Sequence, residues 1–217
     1  MDAEYGVFGD RSDFTDEYTV AAHGTTKLMV VHTNASVEGA KVIAMYERWL
    51  QEPMDRYKIV GLDLEYTGDR KRMALLQLSM RNHCLLYHVC RAKSVCPELH
   101  EFLPRREIYF VSVDIKNDTL KLERDLLVHV VNHVDLQRLW RYPDGGMGKA
   151  GMARLASDII DREYAGMKIE FPKHLHERWE WRHLDYDAIK YAARDAYVCY
   201  EMLNRIWRVG ECVVYHY

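Results

Sequence analysis

An apolar run ends in two carboxylates at Ile59-Val60-Gly61-Leu62-Asp63-Leu64-Glu65-Tyr66. A segment this short and this rich in Ile, Val and Leu reads as a buried strand. Side chains alternate across a strand, so Asp63 and Glu65 share one face while Leu62 and Leu64 take the other. Two acids side by side at the end of a core strand repel each other and are costly to desolvate. A divalent cation held by their oxygens relieves both problems; a strand end emerging into solvent does so too. The stretch alone leaves these two readings open.

The remainder of the chain orders itself around that strand. Tyr18–Ala22 and Thr25–Thr33 flank His23-Gly24 as a hairpin. Ser36 is placed to cap a helix running to about Gln51, with Pro53 at its exit. Ala74–Ser79 and Cys84–His88 are expected to form, with the Asp63 strand, an antiparallel trio in the middle of a mixed sheet. A short helix over Leu99–Leu103 and a strand over Ile108–Val113 follow, then a helix containing Leu120, Leu122, Leu126 and Leu127. Val128–Val134 reads as a short strand, Tyr142–Gly151 as a loop, Met152–Tyr164 as a helix and 165–184 as irregular. Asp185 caps a long final helix reaching about Trp207. Strands come early and helices late, which gives an α/β class with one mixed sheet.

At 217 residues the chain suits a single domain, expected over 18–217, behind an acidic, flexible leader over 1–17. A net charge of −3 argues against a wholly basic nucleic-acid binder, although a set of metal-binding acids would itself shift the balance. Five cysteines without a CxxC pair favour reduced thiols over zinc or a disulfide framework. No signal peptide or membrane span is visible, so an intracellular protein, nuclear or cytoplasmic, is expected.

Further acids fall where a fold can bring them to the strand. Asp118 sits at a strand-to-helix junction, where capping is the ordinary role. Tyr191 and Asp195 are one turn apart on the last helix, where a structural hydrogen bond is the ordinary role. Taken with Asp63 and Glu65 they make four carboxylates, a set suited to two divalent cations roughly 3.5–4 Å apart that attack a phosphodiester. Tyr191 is then placed to orient the attacking water or help deprotonate it.

These residues resemble the motifs of the DEDD 3′–5′ exonucleases. Leu62-Asp63-Leu64-Glu65 is similar to the first motif, Val113-Asp114-Ile115-Lys116-Asn117-Asp118 to the second, and Tyr191-Ala192-Ala193-Arg194-Asp195 to the YxxxD motif of the tyrosine subgroup. Met73-Ala74-Leu75-Leu76-Gln77-Leu78 and Val134-Asp135-Leu136 agree as flanks. The resemblance covers about residues 25–208 and is nearest to plant Werner syndrome-like exonuclease domains, with ribonuclease D next. It implies a ribonuclease-H-like fold, with a central mixed sheet of five or six strands flanked by helices. It also implies Mg²⁺- or Mn²⁺-dependent removal of nucleoside 5′-monophosphates from a 3′ end. Asp63, Glu65, Asp118 and Asp195 would be ligands, with Asp63 bridging two ions and sharing one with Asp195, and Tyr191 would position water.

Two departures stand out. Asp114 replaces the Gly usual four residues before Asp118, and Arg178-Trp179-Glu180-Trp181 replaces a Ser-Asn-Trp-like patch. Candidate substrate contacts are Leu64 and Tyr66 as wedges, Asn117, the basic triplet Arg70-Lys71-Arg72, and Trp179 and Trp181 as stacking platforms. For the triplet a solvated loop, and for the tryptophans packing on the last helix, are the alternatives. The triplet is too short and too embedded to read as a nuclear signal. His174, His176 and His183 lack the spacing of a zinc site. The apolar tail 213–217 either self-associates into a homo-oligomer or docks on its own core. The expected partner is nucleic acid with a free 3′ end, DNA ahead of RNA; RNA 3′-end trimming and a silent, binding-only exonuclease fold are the alternatives.

Overall fold

The structure is a computed structural model describing residues 12–53, 57–69, 71–140, 150–171 and 173–214. Most of the expected leader, most of the 142–151 loop, Arg70 and the end of the tail lie outside the described residues.

The strands are β1 (Thr15–Ala21), β2 (Lys27–Thr33), β3 (Ile59–Tyr66), β4 (Met73–Met80), β5 (His83–Tyr87), β6 (Tyr109–Ser112) and β7 (His133–Asp135). They form one mixed sheet in the order β1-β2-β5-β4-β3-β6-β7. The antiparallel trio β5-β4-β3 stands in the middle, as the sequence predicts. The sheet has seven strands rather than five or six. The N-terminal hairpin joins it through the parallel β2–β5 pair, and β7 extends the other edge beside β6. β1 starts at Thr15, inside the span expected as leader.

The helices are α1 (Ser36–Trp49), α2 (Pro97–Phe102), α3 (Lys116–Leu126), α4 (Leu136–Leu139), α5 (Met152–Ile159) and α6 (Tyr186–Val214). Ser36 is the first residue of α1, not its cap, which falls on Ala35 without a side-chain hydrogen bond. Asp185 does cap α6, its Oδ1 accepting from the Ala188 N–H at 2.8 Å. The Met152–Tyr164 helix stops at Ile159 because Asp161 captures the Glu163 N–H at 2.9 Å and opens a separate 3₁₀ turn. Of the Val128–Val134 run only the last two residues join β7, since β6 offers just Phe110, Val111 and Ser112 for pairing.

One face of the sheet is covered by α6. Gly61 pairs with Ser79 and Ser79 with Cys84, placing three small residues in a row beneath the α6 backbone at Ala193 and Ala196. The Cys84 thiol reaches the Ala193 carbonyl at 3.4 Å. On the opposite face Tyr87 packs against Gly39 of α1. Cys84, Cys90, Cys96 and Cys199 are free thiols, and no helix among the described residues is long and apolar enough to cross a membrane.

Candidate active site

The site is built where α6 crosses β3. A Cβ on Gly61 would stand 2.0 Å from the Ala196 carbonyl oxygen and 2.9 Å from the Tyr200 nitrogen. Glycine therefore lets the helix lie directly on the strand. Gly61, Asp63 and Glu65 share the strand face toward α6, and Asp195 precedes the contact residue Ala196. One oxygen each from Asp63, Glu65 and Asp195 falls within 4.8 Å of the others.

Asp118 stands beside this trio but is not part of it. It occupies the first turn of α3, where the helix dipole favours a carboxylate, and its Oδ1 accepts a hydrogen bond from the Tyr66 hydroxyl. β3 shifts register between Glu65 and Tyr66. The pairing passes from Glu65–Leu75 to Tyr66–Met73 and skips Ala74 of β4, so the irregularity lies on the partner strand opposite the last residue of β3.

The electrostatics express crowding. Burial, then the charges of Asp195 and Asp118, push the Asp63 carboxyl well above its ordinary range, with Lys168 opposing. Burial and Asp195 do the same to Glu65. Burial raises Asp118, the Tyr66 hydrogen bond holds it back and the Asp114 charge adds to the rise, leaving it at about 6. Asp195 Oδ1 is buried with no hydrogen-bond partner among the described residues. Converging hard oxygens, mutual repulsion and an orphaned carboxylate oxygen fit a divalent cation.

Tyr191 is 9% exposed and backed by aromatic rings. Phe171 stacks on it at 4.5 Å, His176 meets it edge-on at 5.4 Å, and Trp179 lies tilted at 6.2 Å. The Lys168 ammonium donates to the Tyr191 hydroxyl at 2.8 Å and also to Asp195 Oδ2. His176 Nδ1 stands 3.7 Å from Glu65 Oε2, beside the acids but outside the trio.

The substrate candidates divide. Leu64 is 4% exposed in the core, because strand alternation turns it away from the acids, and it is not available as a wedge. Trp179 is 1% exposed, so it packs behind Tyr191 and offers no face for a base. Trp181 is exposed, with the Arg178 guanidinium 4.7 Å from its ring. Tyr66 is half-buried and bonded to Asp118. Lys71 and Arg72 are exposed in the β3–β4 connection; Arg70 and the Asn117 side chain lie outside the described residues. Lys168 and Phe171 were not legible from sequence: they fall in an irregular stretch, where no period marks which side chains turn inward.

Fold and site together define a ribonuclease-H-like domain with carboxylates gathered at the end of β3, next to the middle strand of its sheet. The profile of the 3′–5′ exonuclease family matches residues 44–211, and the chain belongs to that family. A curated 3′–5′ exonuclease of Arabidopsis thaliana is 25% identical over 151 residues, covering 66% of this chain and 50% of the relative; the chain spans half the length of that protein. Among solved structures, Trypanosoma brucei RNase D has a similar fold at a TM-score of 0.61 and 18% identity, over 81% of this chain and 64% of its own. The Aedes aegypti Nibbler EXO domain is similar at 0.59 and 18% identity, over 80% and 86%.

Proposed function

We propose that this protein is a 3′–5′ exonuclease of the tyrosine subgroup, Werner syndrome-like, that uses two ions of Mg²⁺ or Mn²⁺ to shorten nucleic acid, with DNA the favoured substrate. The observation that carries the reading is the convergence of Asp63, Glu65 and Asp195 within 4.8 Å, with Asp118 alongside. Asp63, Glu65 and Asp195 would hold one ion, and Asp63 and Asp118 the second. Bound divalent ions supply an activated water and neutralise charge on the phosphate. The rest falls to the chain itself. Tyr191, held from behind by Lys168 and its aromatic wall, keeps its hydroxyl proton free to orient the incoming water. Lys71 and Arg72, exposed just past the acid end of β3, are placed to meet phosphates of the strand being cut.

RNA trimming is the second reading, favoured by the fold shared with T. brucei RNase D, which has been seen in complex with RNA U12 and aligns at a TM-score of 0.63. The experiment is digestion of matched 5′-labelled DNA and RNA with Mn²⁺. A ladder of products shortened from the 3′ end, abolished by EDTA and by Asp63→Ala and Asp195→Ala, is expected, faster on DNA. Faster RNA digestion transfers the function to RNA. Full activity in both variants removes the site assignment, and no digestion by a normally folded protein that also fails to bind Mn²⁺ in calorimetry favours a silent binding module.

A further inference from the structure

Lys168 is bonded to two residues of the site at once. Its ammonium donates to Asp195 Oδ2 and to the Tyr191 hydroxyl, at 2.8 Å for the latter, and lies 4.5 Å from the centre of the Tyr191 ring. The segment carrying it is fixed onto α6 from both sides. Met167 and Phe171 are each 3% exposed. Glu170 between them accepts from Arg194 Nη1 at 3.0 Å and pairs with Lys190 at 3.8 Å. A long, flexible side chain on such an anchored strap is held in one place, so its charge acts as a fixed feature of the site.

The hydrogen bonds divide the work of Asp195. Lys168 takes Oδ2, while Oδ1 stays buried and without a partner among the described residues. The carboxylate cannot rotate without breaking the ammonium bond, so Oδ1 remains turned away from Lys168 and available to a second cation. At Tyr191 the ammonium occupies a lone pair of the phenol oxygen, which leaves the phenol proton to be donated elsewhere.

We infer that Lys168 is a positioning residue and the resident counter-cation of the acid site, holding Asp195 and Tyr191 in register and setting a ceiling on how tightly the site binds divalent ions. The inference rests on reading the acids as a metal site. Before an ion arrives, Lys168 neutralises part of the carboxylate charge. Once one is bound, two cations share the same acids, and their repulsion loosens the ion. A site tuned this way holds the ion firmly enough to work and weakly enough to exchange it.

The test is Mn²⁺ calorimetry on the full chain with Lys168→Met, Lys168→Gln and Lys168→Arg, alongside metal-free melting curves. The two neutral variants are expected to bind Mn²⁺ about tenfold tighter or more, to melt at lower temperature without metal, and to show a lower kcat at saturating Mn²⁺. Lys168→Arg, which keeps the charge, should bind like the wild type. A folded neutral variant that binds Mn²⁺ no tighter than wild type overturns the inference. If neither neutral variant folds, ¹⁵N spectroscopy of the wild-type Lys168 ammonium decides: Mn²⁺ must perturb its signal well beyond those of the other lysines, and an unperturbed signal overturns the proposal. Failure of the wild type itself to bind Mn²⁺ sinks the metal reading instead, so the two outcomes are distinguishable.

Discussion

The Tyr66 hydroxyl donates a hydrogen bond to Asp118 Oδ1, tying the end of β3 to the first turn of α3. A hydrogen bond to the charged form of a carboxylate lowers its pKa. Tyr66 is therefore one reason Asp118 stands no higher than about 6. In the metal-free protein, Tyr66→Phe should move the Asp118 titration to higher pH, read by carboxyl ¹³C NMR. The same change should cost about 1.5–3 kcal/mol of stability at neutral pH, the usual value of a hydrogen bond to a charged group. An unmoved or lowered titration would contradict the assignment of this bond.

Gly61 sets the distance between β3 and α6. With a Cβ there only 2.0 Å from the Ala196 carbonyl oxygen, Gly61→Ala forces backbone apart from backbone. Urea unfolding should show a loss of about 3 kcal/mol or more, the upper range for overpacking. Mn²⁺ affinity should fall as well, because lifting α6 carries Asp195 away from Asp63. Wild-type stability in Gly61→Ala would show that the helix does not rest on this residue.

A buried histidine pair predicts acid sensitivity. The Trp179 carbonyl can only accept, so His88 Nε2 donates to it at 2.9 Å; His88 Nδ1 then accepts from His32 Nε2 at 3.1 Å. Burial, then the charge of His183, holds His32 down at about 3. Burial, then His32, holds His88 well below its usual value. Both rings are therefore neutral in the fold. Below about 6.5 the unfolded chain binds protons that the folded chain refuses, so stability falls with pH from there toward the folded value. For His32 alone the loss at pH 5 is about 2 kcal/mol. The raised site carboxyls act with the opposite sign, but they are common to wild type and His32→Gln, so comparing the two at pH 7 and pH 5 isolates the ring. Equal losses in both proteins would count against a neutral His32.

Asp114 explains its own oddity. Its φ is +63°, a left-handed conformation that glycine adopts freely and aspartate tolerates better than most residues. Its N–H donates to Asp135 Oδ1 at 3.2 Å, a bond glycine would keep. Asp114→Gly should stabilise the fold by up to about 1 kcal/mol and, by removing a charge that raises Asp118, lower the Asp118 titration. A drop in melting temperature would show that the carboxylate has a structural task.

The parts of the fold legible in the sequence are those written in local pattern. The apolar run into Asp63, the antiparallel trio, the Asp185 cap and the i, i+4 spacing of Tyr191 and Asp195 each follow from strand or helix geometry. What escaped depends on contacts between distant segments. Nothing local shows that Gly61 touches Ala196, that Trp179 turns inward, or that the strap around Lys168 folds onto Tyr191. The register shift at Tyr66 is equally silent, because pairing with β4 determines it. Asp161 is the instructive case: its side chain outcompetes an apolar period that continues to Tyr164.

On the proposed function, the acids gathered around Asp63 hold the divalent ions of a 3′–5′ exonuclease. The most direct test is anomalous diffraction at the manganese edge from crystals soaked in Mn²⁺. One peak bounded by Asp63, Glu65 and Asp195 is expected, with a second between Asp63 and Asp118 roughly 3.5–4 Å away. Density with no peak among these carboxylates, in a crystal whose fold is otherwise intact, would contradict this reading.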